Sequence, residues 1–317
     1  MLENMHRIII TGATGTIGMA LINKCIESGI EVIALVNPGS SRLHRIPGDP
    51  LVRVIKCGLG DLASATAESL GIEETEPGSG VAADAIFHLA WGGTFGDFRN
   101  NRELQDKNAL YALDAVGLAK RFGCSVFVGA GSQAEYGRVS GVLRPDTPCA
   151  PENEYGKAKL RACGETRKLC TDLGIRHIWT RILSIYGPYD GENTMVMSVI
   201  RKLLAGEKPS LTAGEQMWDY LYCSDAANAL LLLAEHGKGG CIYPIGSGAA
   251  RPLREYIEII RDEIDPKLPL GFGEVPYSDK QVMHLCADIS SLCADTGFSP
   301  EVDFREGIRS TIKYCLM

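Results

Sequence analysis

The chain has 317 residues, 45% hydrophobic and 22% charged, ordinary values for a globular protein with one large core or two unequal domains. Its net charge of -7 argues against nucleic acid as the main partner, because phosphate binding needs a basic face; a local groove for one nucleotide stays allowed. The 11 cysteines form no CxxC pairs and no apolar run reaches ~18 residues, so the expectation is a cytoplasmic protein with free thiols, no metal cluster and no membrane span.

After a polar stretch, Met1 to His6, that does not resemble a signal peptide, the chain runs through Arg7 to Gly18, RIIITGATGTIG. Ile8-Ile9-Ile10 reads as a strand buried on both faces. Gly15 and Gly18 then open an amphipathic helix, Thr16 to Ser28, with Ile17, Leu21, Ile22 and Ile26 at helical spacing. A strand that turns tightly into a helix N-terminus presents free N–H groups and a positive dipole end, and glycines let a pyrophosphate approach the backbone. Gly12, Thr14, Gly15, Thr16, Ile17 and Gly18 are therefore candidate anion-binding residues.

Glu31 to Val36 is a second buried strand, as βαβ alternation requires. It ends Val36-Asn37-Pro38, with no carboxylate to accept from an adenosine 2′-hydroxyl and repel a 2′-phosphate. Ser40, Ser41 and Arg42 follow, and two hydroxyls with a guanidinium suit a phosphate, unless Arg42 merely starts a solvated helix. The expected cofactor is NADP or NAD, with NADP favoured and Asn37, Ser41 and Arg42 beside it. Leu51 to Cys57 reads as a third strand, before Gly60-Asp61-Leu62, where Asp61 is equally a helix N-cap. Glu73 to Gly80 reads as an acidic surface loop. Ala85 to Leu89 is strand four, with His88 as a packed core histidine, and it runs into Ala90-Trp91.

Leu104 to Phe122 is a long helix with an apolar stripe of Leu104, Leu110 or Tyr111, Leu113, Val116 and Leu118; it contains Asn108. Ser125 to Gly129 is strand five, and GAGSQAEYG follows, ending at Gly137. Glu154 to Leu173 is a helix, His177 to Arg181 a strand, Met195 to Ala205 a helix and Trp218 to Tyr222 a short strand. Ser224 to His236, with Ser224 as N-cap, Leu253 to Ile264 and Phe304 to Tyr314 read as helices. This alternation predicts an α/β fold with a doubly wound parallel sheet, residues 1–181 plus about 217–243. A smaller C-terminal substrate domain would take about 182–216 and 244–317.

Tyr155 and Lys159 stand four apart on one helix and share a face. An ammonium near a phenol favours the phenolate, so the expectation is a lowered Tyr155 pKa and a general acid–base role. Ser132 falls at the C-terminal end of strand five, where open α/β sheets bind ligands, and could orient the same substrate oxygen.

TGATGTIG, Asp61, Asn108, Ser132 with Tyr136-Gly137, the Tyr155/Lys159 pair, and Arg181 before Tyr186-Gly187-Pro188 cover essentially the whole chain. Together they resemble the extended short-chain dehydrogenase/reductases, the NAD-dependent epimerase/dehydratase family of UDP-galactose 4-epimerase and its relatives. The resemblance implies a Rossmann domain, a nucleotide-sugar substrate and a homodimer that pairs helices 104–122 and 155–173 with their mates. It implies adenine at Asp61 and Leu62, and Leu89, Ala90 and Trp91 beside the pyrophosphate and nicotinamide ribose. Asn108 stands where the family keeps an asparagine, and Lys159 would hold the nicotinamide ribose. Gln133, Ser184, Tyr186 and Trp218 are candidate substrate contacts, with Tyr186 and Trp218 equally readable as core aromatics of the smaller domain. The family's 4,6-dehydratases carry Asp-Glu after the active-site hydroxyl residue, where this chain has Gln133-Ala134, and its C3/C5 epimerases carry a cysteine where this chain has Ala134. What remains is hydride chemistry alone, 4-epimerisation or 4-keto reduction. The family's diphosphate arginine is replaced by Trp218, so either Arg251, Arg254 or Lys280 substitutes for it or the substrate differs. The alternative is a catalytically silent NADP-binding sensor of the same fold, which usually lacks the tyrosine–lysine pair.

Overall fold

The computed structural model describes residues 5–74, 80–279 and 281–317. Its elements are β1 (Arg7–Thr11), α1 (Thr16–Glu27), β2 (Glu31–Val36), β3 (Val52–Lys56), β4 (Ala85–His88), α2 (Arg102–Arg121), β5 (Val126–Ser132), α3 (Glu154–Leu173) and β6 (Arg176–Ile182). There follow β7 (Ser184–Tyr186), α4 (Met195–Leu204), β8 (Met217–Trp218), β9 (Tyr220–Tyr222), α5 (Cys223–His236) and β10 (Cys241–Ile245). The chain closes with β11 (Arg251–Pro252), α6 (Leu253–Ile264), β12 (His284–Leu285), α7 (Ser290–Thr296) and α8 (Phe304–Cys315).

Seven parallel strands form one sheet in the order β10-β6-β5-β4-β1-β2-β3. This is a doubly wound, Rossmann-like α/β sheet, as the apolar runs at residues 8–10 and 31–36 predict. The strand order reverses between β1 and β4, so the loops leaving their C-terminal ends diverge and open a crevice. Ile8 and Ile10 pack on one face against Leu21 and Ile22 of α1 and Leu230 and Leu233 of α5. Ile9 and Ile33 pack on the other against Val116 and Leu118 of α2 and Cys170 of α3. A second core gathers Tyr186, Ile200, Tyr256, Ile260, Phe304 and Ile308 around α4, α6 and α8. Leu292 and Phe298, from the segment expected in the substrate half, instead pack into the sheet core.

Several expectations change in detail. The segment Trp218–Tyr222 is two short strands in different sheets, because Asp219 breaks it. The Asp219 carboxylate is fully buried and accepts from Ser247 N–H and Oγ–H and from Ala287 N–H at 2.6–3.0 Å. α5 begins at Cys223, so Ser224 lies inside it, and Tyr222 is an N-cap without a side-chain bond. The inner face of α2 is alanine-rich, with Ala109, Ala112, Ala115 and Ala119 buried, while Leu110 is 58% exposed. Small residues let α2 lie close to its neighbours, which an apolar-stripe reading of large side chains misses. Of the loop expected at Glu73 to Gly80, residues 75–79 lie outside the described part. No described helix is long and apolar enough to cross a membrane.

Candidate active site

Gly12 turns the chain after β1 with φ +76°, and a Cβ there would stand 2.7 Å from the Ala90 amide nitrogen. A Cβ on Gly18 would collide with the Gly12 carbonyl oxygen. The two glycines thus bring α1 down onto the turn. α1 has Gly15 as N-cap, no side-chain cap and no acidic residue in its first turn. The residues that carry its first amides, Thr16, Ile17 and Gly18, line a cavity of about 700 Å³ together with Gly12 and Gly15. This cradle of uncapped backbone donors fits a pyrophosphate.

The same cavity is lined by Leu89, Trp91, Ser132, Tyr155 and Lys159. Ser132 ends β5, next to α3, whose N-cap Asn153 accepts from Gly156 N–H at 2.8 Å. That cap fixes the first turn of α3 and with it Tyr155. Ser132 lies close enough to the Tyr155 phenol to pull its pKa down. Lys159 is 3% exposed; its Nζ donates to Ala130 O at 2.5 Å and lies 3.7 Å from the Trp91 ring centroid. Burial pulls Lys159 down to about 7, against the pull of Glu135. The expected lowering of the Tyr155 pKa is not found: burial raises it, outweighing Ser132 and Arg99. The physical reason is that Lys159 spends its amine on Ala130 and the Trp91 face, 5.8 Å from the Tyr155 ring centroid. His88 is buried, bonded through Nδ1 to Thr11 Oγ1 at 3.0 Å, and pushed down to about 3 by burial and then by Lys159. It is a neutral core histidine.

A second cavity, of about 370 Å³, adjoins the first through Gly12, Arg42 and Trp91. Thr14, Asn37, Ser40, Leu62 and Ala90 line it, and no carboxylate does among the described residues. Ser41, expected here, does not line it; Ser40 does, and its Oγ accepts from Arg42 N–H at 3.2 Å. Asp61 turns away, its carboxylate accepting from Gly58 N–H at 2.8 Å inside a tight turn, so it is neither at the cavity nor a helix N-cap. Asn108 sits one layer back. Its amide clamps Gly92, accepting from the N–H and donating to the carbonyl, both at 2.9 Å.

The substrate contacts implied by resemblance fall elsewhere. Tyr186 is buried in the C-terminal core, and its hydroxyl donates to Phe304 O at 3.3 Å. Trp218 donates from Nε1 to Ser184 Oγ at 2.8 Å, so these two satisfy each other away from the main cavity. Gln133 does not line that cavity. Arg251 lies over Tyr256 and Arg254 over Phe272, neither at the cavity, and Lys280 is outside the described residues.

Four residues near the site carried no sequence signal. Arg45 lines the cavity, donates to Thr14 O at 3.2 Å and lies over the Tyr189 ring. Gln105, buried on α2, ties down the loop after β4. Glu135 is fully buried, and its carboxylate accepts from Ser132 N–H, Trp179 Nε1–H and Arg181 Nε–H at 2.7–3.0 Å. Arg99 lies over the Tyr155 ring. The 11 cysteines are all free, and no described His, Cys, Asp and Glu side chains cluster as metal ligands do.

A model of the NAD dependent epimerase/dehydratase family matches residues 8–246. The chain is 25% identical to a CDP-abequose synthase of Salmonella typhimurium, over 96% of this chain and 97% of that one. It is 24% identical to a dTDP-glucose 4,6-dehydratase of Xanthomonas campestris, over 97% and 92%. Its fold is similar to that of a UDP-N-acetylglucosamine 4-epimerase from Methanobrevibacter ruminantium, with a TM-score of 0.85, 23% identity and 99% of both chains covered.

Proposed function

The chain belongs to the NAD dependent epimerase/dehydratase family, and from that premise we propose that it epimerises or reduces a nucleotide sugar at C4, with Tyr155 as acid and base. The observation that carries this reading is the meeting of Ser132, Tyr155 and Lys159 with the glycine turn in one cavity. Gly12–Gly18 and the lining of the second cavity would hold a nicotinamide dinucleotide, which would supply hydride chemistry there. Ser132 orients a sugar oxygen at the Tyr155 hydroxyl, which gives it a proton or removes one. Burial keeps that phenol protonated, the form a donor to a ketone requires. Lys159 anchors the nicotinamide ribose. The sheet half, residues 1–181 plus about 217–243, with Leu292 and Phe298 packed into its core, would hold the dinucleotide, and the remainder of 182–216 and 244–317 would face the sugar.

Dehydration is disfavoured. Gln133 and Ala134 follow Ser132, and the next residue, Glu135, has its carboxylate committed to Ser132, Trp179 and Arg181. The test is to denature the purified protein, identify any released nucleotide by mass spectrometry, and screen nucleoside-diphosphate sugars with NADH and NADPH. Turnover of none would favour the silent sensor.

NADP is favoured over NAD because Ser40 and Arg42, with no carboxylate, line the second cavity. Arg42→Ala should weaken NADPH binding roughly tenfold or more and leave NADH nearly unchanged, since a charge-assisted bond is worth about 1.5–3 kcal/mol. Fluorescence titration with both nucleotides checks it. Equal losses for the two would reject the preference.

A homodimer through α2 and α3 is supported by their side-by-side packing and by Leu110, exposed on the outer face of α2. Light scattering should find a dimer at micromolar concentration and a monomer for Leu110→Asp. A wild-type monomer would end this reading.

A further inference from the structure

The cation nearest the face of Tyr155 is not Lys159. Arg99, in the short 3₁₀ turn Gly96–Asn100, holds its guanidinium carbon 4.9 Å from the Tyr155 ring centroid, against 5.8 Å for Lys159 Nζ. No side-chain hydrogen bond or ion pair joins Arg99 to another described residue, and its Nε is buried without a partner. An arginine with so few commitments is normally swept into solvent, so something must hold the loop that carries it. Gln105 does. Its Oε1 accepts from Trp91 Nε1–H at 2.8 Å, and its Nε2 donates to the carbonyls of Gly93 and Phe98, each at 3.0 Å. Gly93 bends the loop at φ +66°, where a Cβ would press on Leu104 and Gln105. Trp91 meets the edge of the Tyr155 ring at 6.3 Å. The loop is thus built against α2 at one end and against Tyr155 at the other.

We propose that Arg99 sets the proton affinity of Tyr155, acting through the ring face as a positioning residue rather than by touching substrate. A phenolate spreads its charge into the ring, so a cation over the ring favours it over the phenol. A guanidinium stays charged throughout the working pH range, whereas burial pulls Lys159 down to about 7. Arg99 is therefore the permanent cation of the pair. The groups facing Tyr155 are Ser132 at the end of β5 and Glu135 just after it, Lys159 on its own helix, and Arg99. Burial raises the Tyr155 pKa most, the nearby Ser132 side chain and the Arg99 charge lower it, and Glu135 raises it.

The inference rests on reading Tyr155 as the acid–base group, but its test does not. Difluorotyrosine incorporation brings the tyrosines into an accessible titration range, and the ¹⁹F resonance lost in Tyr155→Phe identifies the one to follow. Arg99→Met should leave about tenfold less phenolate at a given pH than the parent protein, and Arg99→Lys should restore most of it. Should Arg99→Met fail to fold, Arg99→Gln, which keeps a planar polar end without the charge, serves the same comparison. A titration unchanged by loss of the charge overturns the proposal, as does an equal shift in Arg99→Lys, which would mean packing and not charge. The titration reads Tyr155 whether or not any sugar is turned over, so its failure is distinguishable from that of the sugar screen.

Discussion

Replacing Tyr155 by phenylalanine should slow turnover by ~10²-fold or more, the range for losing a general acid or base, while leaving folding and dinucleotide affinity nearly intact. The substitution removes one oxygen. The ring keeps its edge contact with Trp91 and its place under Arg99. Lys159 keeps its bond to Ala130 O, because nothing in that bond depends on the phenol. Ser132 keeps the bond its hydroxyl accepts from Ala134 N–H at 3.2 Å. The loss should therefore fall on kcat, with the nucleotide dissociation constant unchanged. The measurement is steady-state turnover of the sugar found by screening, with a parallel nucleotide titration. Full activity in Tyr155→Phe would refute the assigned mechanism whatever the substrate.

What the sequence made legible here is what local pattern determines. The strand–glycine–helix unit at residues 7–27 could be read because β-branched runs, turn glycines and helical spacing each act over a few residues. Tyr155 and Lys159 could be paired because helix geometry alone puts positions four apart on one face. Direction and partner are not local. Nothing in the sequence around Tyr186 or Trp218 says whether an aromatic faces a cleft or a core, and the structure turns Tyr186 inward and bonds Trp218 to Ser184. Asp61 and Asn108 are spent on backbone groups at Gly58 and Gly92. Arg99 and Gln105 become interesting only when α2, the loop after β4 and α3 converge. The pKa of Tyr155 shows the same limit: a neighbouring lysine is visible at four-residue spacing, but the burial that raises the phenol and the turning of the lysine toward Ala130 are tertiary properties.

Glu135→Ala should destabilise the protein by about 3–5 kcal/mol, the loss expected when one partner of a buried ion pair is removed. Glu135 and Arg181 side chains are 0% and 3% exposed and 2.7 Å apart, so the arginine left behind cannot reach water. Its remaining contacts are Pro145 O at 3.3 Å and the face of Tyr136. Ser132 N–H and Trp179 Nε1–H lose their acceptor in the same step. Glu135→Gln keeps an acceptor and should cost less, since only the charge is lost. Glu135→Leu with Arg181→Met should recover much of the stability, because the solitary buried charge carries most of the penalty. Urea denaturation of the four proteins tests this, and a Glu135→Ala variant within about 1 kcal/mol of the parent would contradict it. The double variant also separates two roles of the carboxylate. If Glu135 served only to neutralise Arg181, the stable double variant would turn over substrate normally. Because Glu135 also holds the Ser132 amide at 2.9 Å, on the turn that presents the Ser132 hydroxyl to Tyr155, that variant should fold and still lose rate.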